Sequence, residues 1–153
     1  MIEVQECSPP DSVKKVDGEL VLDHEQREKS RFRAKSSLGE EVRVFLEHGP
    51  VLSIGTILHG MCGTNLIIVG AKESVLTASS EDRMLFSKAC YHLGNRHVKL
   101  QIGDSWLRIS PDHVLEDMLR NLGMKIDFEL ATFVPEVGAY YNLPKGSAYA
   151  HEH

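Results

Sequence analysis

The chain has 153 residues, room for one ordinary domain or two small ones. Hydrophobic residues make up 42% and charged residues 25%, the balance of a globular protein rather than a disordered one. A net charge of −5 with histidine neutral argues against a nucleic-acid binder, which needs surplus Lys and Arg on one face. No apolar run approaches the roughly 20 residues of a membrane span. The start MIEVQECSPP has no basic region followed by an apolar stretch, so no signal peptide is read. A cytoplasmic protein with no membrane partner is expected.

The first half reads as strands. Residues 19–22 (ELVL) form a short apolar run. Residues 41–46 put Val42, Val44 and Leu46 on one side and Arg43 and Phe45 on the other, the period of a half-buried strand. Residues 51–58 are a further β-branched run interrupted by Gly55, and 66–69 (LIIV) a continuous apolar strand. Nothing up to about residue 74 has helical periodicity. An all-β module of short strands is expected there.

From residue 74 the character changes. Residues 74–77 read as a strand. The run from Ala78 to Asp82 then starts a helix, with Ser79 or Ser80 as cap. Met84, Leu85, Ala89 and His92 recur at helical spacing, and Gly94-Asn95 is expected to end the helix. Residues 97–102 and 105–109 form a hairpin across Gly103-Asp104. Ser110 and Pro111 open a second helix with Val114, Leu115, Met118, Leu119 and Leu122 as its apolar stripe. Gly123 closes it, and 124–130 alternate as a last strand. The order β-α-β-β-α-β is the ferredoxin-like plan. Residues 132–153 carry prolines and glycines without a packing pattern and are expected to be a mobile tail. The fold expected is thus α+β: an all-β domain over 1–74, a ferredoxin-like domain over 75–140 and a flexible C-terminal tail over 141–153.

Phosphate-loop, dinucleotide-loop and nucleophile-elbow patterns are all missing from the sequence, so an enzyme reading has no support. Cys7, Cys62 and Cys90 form no CxxC pair and are expected as reduced, mostly buried thiols. His24, His48 and His59 read as surface or turn histidines. The stretch 91–97, YHLGNRH, is different. His97 follows a sharp connection and is expected to open the next strand, with its imidazole exposed at one end of the domain. Neutral imidazole is a good ligand for Ni, Cu, Zn and Co. One imidazole per chain holds a metal only if a two-fold axis brings two copies together. On residues alone the ordinary reading prevails: a lone His after a turn is more often not a ligand, and the same holds for His92 and His113. His151-Glu152-His153 puts two imidazoles and a carboxylate near the end of the chain. They could complete the coordination of a metal held by His97, or simply be solvated.

Ala89 through Ile102 (ACYHLGNRHVKLQI) is followed by Leu107-Arg108-Ile109, by DHVLEDML at 112–119, and by Pro135-Glu136 and Gly138-Ala139-Tyr140. These motifs resemble the urease accessory protein UreE family of nickel metallochaperones. The resemblance covers most of the chain and is densest over 66–140. It implies an N-terminal β domain, often called peptide-binding, and a ferredoxin-like metal-binding domain through which the protein forms a homodimer. It implies that His97 binds Ni(II) at the dimer interface, one from each chain, and that two dimers can gather four copies around one ion. His113 matches a peripheral metal position of some members, but its usual partner two residues earlier is Pro111 here. Of the long histidine-rich tail of many members, only His151 and His153 remain, which argues against bulk storage. The resemblance further implies delivery of nickel to urease apoprotein, with the accessory GTPase UreG as direct partner. Zn(II) or Cu(II) in place of Ni(II) stays open, because Cu(II) outranks Ni(II) for most N/O ligands. Protons compete with metal for imidazole, so affinity should fall as pH drops through about 6.5. The competing expectations are a metal-independent interaction module, with incidental histidines, and a general divalent-metal buffer.

Overall fold

The computed structural model describes residues 1–47, 49 and 51–138. Two compact units appear. The first combines Met1–Val75 with Phe128–Phe133, and the second combines Leu76–Asp127 with the described residues that follow Phe133. Among the described residues no helix is long and apolar enough to cross a membrane.

The first unit is built on a six-stranded sheet of β1 (Ile2–Ser8), β2 (Gly18–Leu22), β3 (Arg31–Lys35), β4 (Glu41–Phe45), β5 (Ile57–Gly60) and β6 (Asn65–Gly70), in the order β2-β6-β5-β1-β4-β3. β2 runs parallel to β6 and β1 parallel to β4, while the other pairs are antiparallel. Alternate residues of these strands point to one core of Ile2, Val4, Leu20, Leu22, Val42, Val44, Leu58, Leu66 and Ile68. Burying each such aliphatic side chain contributes about 1.5–3 kcal/mol. The run at 51–58 is a strand only from Ile57, because the positive φ of Gly55 breaks it.

This unit is not all strand. A one-turn helix, α1 (His24–Arg27), interrupts it. Asp23 accepts the Gln26 N–H at 2.8 Å, and the Gln26 side chain accepts the Asp23 N–H at 3.0 Å. This reciprocal capping box stabilises a turn too short to show a period. Arg27, 3% exposed, donates to the carbonyls of Leu22 and Phe133. His24 is buried rather than superficial: its Nδ1 lies 2.7 Å from Glu73 Oε1, and its ring meets Phe133 edge-on. Phe133, fully buried, joins Val75 and Ala131 in a small apolar cluster.

β7 (Lys72–Ser79), β8 (Gln101–Ile102), β9 (Trp106–Ile109) and β10 (Lys125–Thr132) form a second sheet in the order β10-β7-β9-β8. In the second unit, α2 (Arg83–Asn95) and α3 (His113–Leu122) bury Ala89, Leu93, Leu115 and Leu119. These pack with Leu76, Ala78, Leu100, Leu107, Ile109 and Met124. Both helices start later than the serines suggest. Asp82 caps α2 by accepting the Met84 and Leu85 N–H groups, and Asp112 caps α3 by accepting that of Leu115. A carboxylate at the positive helix end outcompetes a hydroxyl two residues upstream. Ser80 instead accepts the Asp82 N–H. Met84, His92 and Val114 lie on outer faces rather than in the core, while Gly123 ends α3 in the left-handed region as expected. The β8–β9 connection is tight. Ser105 has φ +63°, and the Trp106 ring lies over Gly103, where a Cβ would come within 1.9 Å.

The segment after β10 departs from the expected tail as far as it is described. The Val134 N–H donates to Gln101 Oε1 at 3.0 Å and the Glu136 N–H to the Leu100 carbonyl at 2.6 Å. The rest of the expected tail, 139–153 with His151 and His153, lies outside the described residues, as does His48. The cysteines also differ from expectation. Cys7 and Cys62 are exposed, and Cys90 is half-buried.

Candidate metal site

His97 is positioned by the way α2 ends. The helix ends at Asn95, as expected, with Arg96 as its C-cap residue. His97 follows in the left-handed region at φ +56°, where His is more often found than most non-glycine residues. The His97 N–H donates to the Gly94 carbonyl at 3.0 Å and the Val98 N–H to the Leu93 carbonyl at 3.3 Å. These two bonds make a Schellman motif. Its usual apolar contact is present too, since Leu93 is fully buried and Val98 packs on the same core.

His97 is therefore the residue that reverses the chain, not the first residue of a strand; β8 begins only at Gln101. The consequence is a backbone fixed from both sides that carries an exposed imidazole. Among the described residues no hydrogen bond is made by that ring. Arg96 and Lys99 flank it in sequence, and positive neighbours weaken the hold on a cation.

His92 is also exposed, and meets Tyr91 edge-on at 5.5 Å. His113 is the first residue of α3 and is exposed, with Pro111 two residues before it. Cys90, the nearest thiol in sequence, is half-buried, and burial pushes its pKa up. A raised pKa disfavours the thiolate that a soft metal needs. Among the described residues no group of three or more His, Cys, Asp or Glu side chains is arranged to hold a metal ion. His97 and His113 are thus single donors in the described chain, and His151 and His153 lie outside it.

Composition and spacing left one feature of this region unread. The bonds from Val134 and Glu136 to Gln101 and Leu100 return the chain to β8, within a few residues of His97. The sequence signal for this return is Pro135-Glu136, part of the motif that carries the resemblance.

Comparison with known proteins gives this geometry a context. The model of the UreE urease accessory protein N-terminal domain matches residues 7–71, and that of the C-terminal domain matches 73–153. A urease accessory protein UreE of Marinomonas sp. (strain MWYL1) is 56% identical over 121 residues, 79% of this chain and 82% of that protein. The UreE of Alteromonas mediterranea is 46% identical over 125 residues, 82% of this chain and 81% of its own. That of Vibrio parahaemolyticus is 42% identical over 134 residues, 88% and 84% of the two chains. With both domain models matched in order and relatives covered over most of their length, this chain belongs to the UreE family of urease accessory proteins.

Proposed function

We propose that the chain is a nickel metallochaperone, not an enzyme, that binds Ni(II) as cargo at a homodimer interface and donates it for assembly of the urease metallocentre. The observation that carries this reading is His97, an exposed imidazole on a backbone locked by a Schellman motif. Neutral imidazole suits Ni(II), but one donor does not hold it. A second copy of His97 across a two-fold axis supplies the next, and a dimer of dimers supplies four.

His151 and His153 act in this reading as auxiliary ligands. The bond from Glu136 to Leu100 supports that role, because it starts their segment beside β8. His113 is the weaker candidate, since Pro111 stands where a second donor would be needed. Zn(II) and Cu(II) compete for the same donors, and site geometry rather than intrinsic affinity must favour nickel. UreG and the urease apoprotein complex are the proposed recipients, in the cytoplasm. We assign 1–74 to a β domain for protein contacts, 75–140 to a ferredoxin-like metal-binding domain and 141–153 to the tail. The strand order β10-β7-β9-β8 supports the ferredoxin-like assignment, since it places the outer strands of a βαββαβ unit as that plan requires.

The test is nickel titration by calorimetry on the wild type and on His97→Ala, with mass followed by light scattering. The expected result is less than one tight ion per chain, and affinity at least about tenfold weaker in the variant, a loss of roughly 1.4 kcal/mol or more. Equal binding by both proteins would overturn the assignment of His97. A second reading, a metal-independent interaction module, draws on the exposed β3 edge of the first unit. It predicts that His97→Ala leaves urease activation in cells unchanged.

A further inference from the structure

We propose that the edge strand β3 is a docking site for an acidic segment of another protein, taken up in extended form as an added strand. β3 is the last strand of its sheet. Its pairing with β4 is bracketed by two bonds, from the Leu46 N–H to the Ser30 carbonyl at 2.8 Å and from the Ser36 N–H to the Glu40 carbonyl at 2.9 Å. Antiparallel pairs alternate between bonded and non-bonded positions. In this register Phe32 and Ala34 turn their backbone groups toward β4, and Arg31, Arg33 and Lys35 turn theirs away. By that alternation the backbone groups of Arg31 and Arg33 have no ladder partner in β4. Past β3 the edge closes: the Ser37 N–H donates to the Glu19 carbonyl, and the Glu19 N–H to Ser37 Oγ. The open stretch is therefore short and definite.

The side chains give this edge its chemistry. Phe32 and Ala34 pack on the core, while Arg31, Arg33 and Lys35 are exposed. Three cations in five residues stand out on a chain of net charge −5. The Arg31 guanidinium lies 4.2 Å from the centroid of Phe45, itself 48% exposed. Arg33 is 3.5 Å from Glu41, a solvent-exposed pair that is worth little and yields readily to a competing carboxylate. Arg33, Ala34, Lys35, Gly39 and Glu41 line a shallow concavity of about 450 Å³ beside the edge, space for side chains of the added strand. Charged edge strands commonly repel copies of themselves. The same charges favour an acidic strand over a basic one, and added strands draw affinity from backbone bonds. This inference uses no metal and stands apart from the nickel reading.

The test uses the full chain and a fluorescein-labelled hexapeptide of alternating Glu and Val, read by anisotropy at low ionic strength, with amide chemical shifts mapping the contact. Expected are saturable binding and shifts centred on residues 30–36. At least tenfold weaker binding is expected for Arg31→Glu/Arg33→Glu, for a Lys-for-Glu peptide, and for a peptide N-methylated at alternate positions. Equal binding by the N-methylated peptide would mean charge attraction without strand addition and would overturn the proposal. So would no binding at millimolar peptide, or shifts that avoid β3. If binding appears only after residues 139–153 are deleted, the occupant is the chain's own tail, and the proposal fails. The peptide variants keep the test decisive even if the double substitution unfolds the protein.

Discussion

His97 holds a left-handed backbone that costs an L-residue about 1–2 kcal/mol relative to the right-handed one. Glycine carries no such cost there. His97→Gly should therefore stabilise the second unit by about 1 kcal/mol in urea melts while weakening nickel binding. Stability and metal binding moving in opposite directions would mark a residue kept for its side chain. Cys62 offers a second residue-level test. Its Sγ lies 3.2 Å from Thr64 Oγ1, and that hydrogen bond favours the thiolate and lowers the pKa, whereas burial raises those of Cys7 and Cys90. More thiolate forms at a given pH below the pKa, so iodoacetamide near neutral pH should modify Cys62 a few-fold faster than the other two. Thr64→Val should remove much of that difference, read by peptide mass mapping.

Among the elements, α1 ties the end of β2 to Phe133, the residue after β10. Arg27 is buried with its guanidinium on the Leu22 and Phe133 carbonyls, and burial lowers its pKa against the pull of Glu73. Arg27→Met should cost about 3 kcal/mol in chemical denaturation, since two buried carbonyls lose charged donors. Asp112→Ala should cost about 1 kcal/mol by removing the α3 cap. Elements such as α3 and β4 were legible in the sequence because their apolar spacing is their packing. Leu115 and Leu119, or Val42 and Val44, announce a face. β1 was not read, since only Ile2 and Val4 of its seven residues face the core. β3 was not legible: its outward positions are Arg31, Arg33 and Lys35, and only Phe32 and Ala34 face the core. α1 was hidden because a capping box, not a period, defines it. The helix starts were misread by two residues because Ser and Asp share the same capping chemistry. At the candidate site, the exposure of His97 was legible from the sharp connection. Its cause was not, because a Schellman motif with His in the glycine position breaks the usual residue preference.

For the whole molecule, the proposed carrier, if it shares one ion between copies, would tie metal content to assembly. Light scattering should give the mass of a dimer or a dimer of dimers, and nickel per chain should fall as dilution separates the copies. Lower pH should unload the metal as protons compete for imidazole. The packing of Trp106 on Gly103, with the Arg108 guanidinium 4.6 Å from its ring, has an optical consequence. It is the chain's single tryptophan and belongs to the second unit. Emission excited selectively in tryptophan thus reports that unit, and the first unit contributes none. Comparing the emission transition with the far-ultraviolet dichroism of the whole backbone separates the unfolding of one half from the other without a label or a truncation.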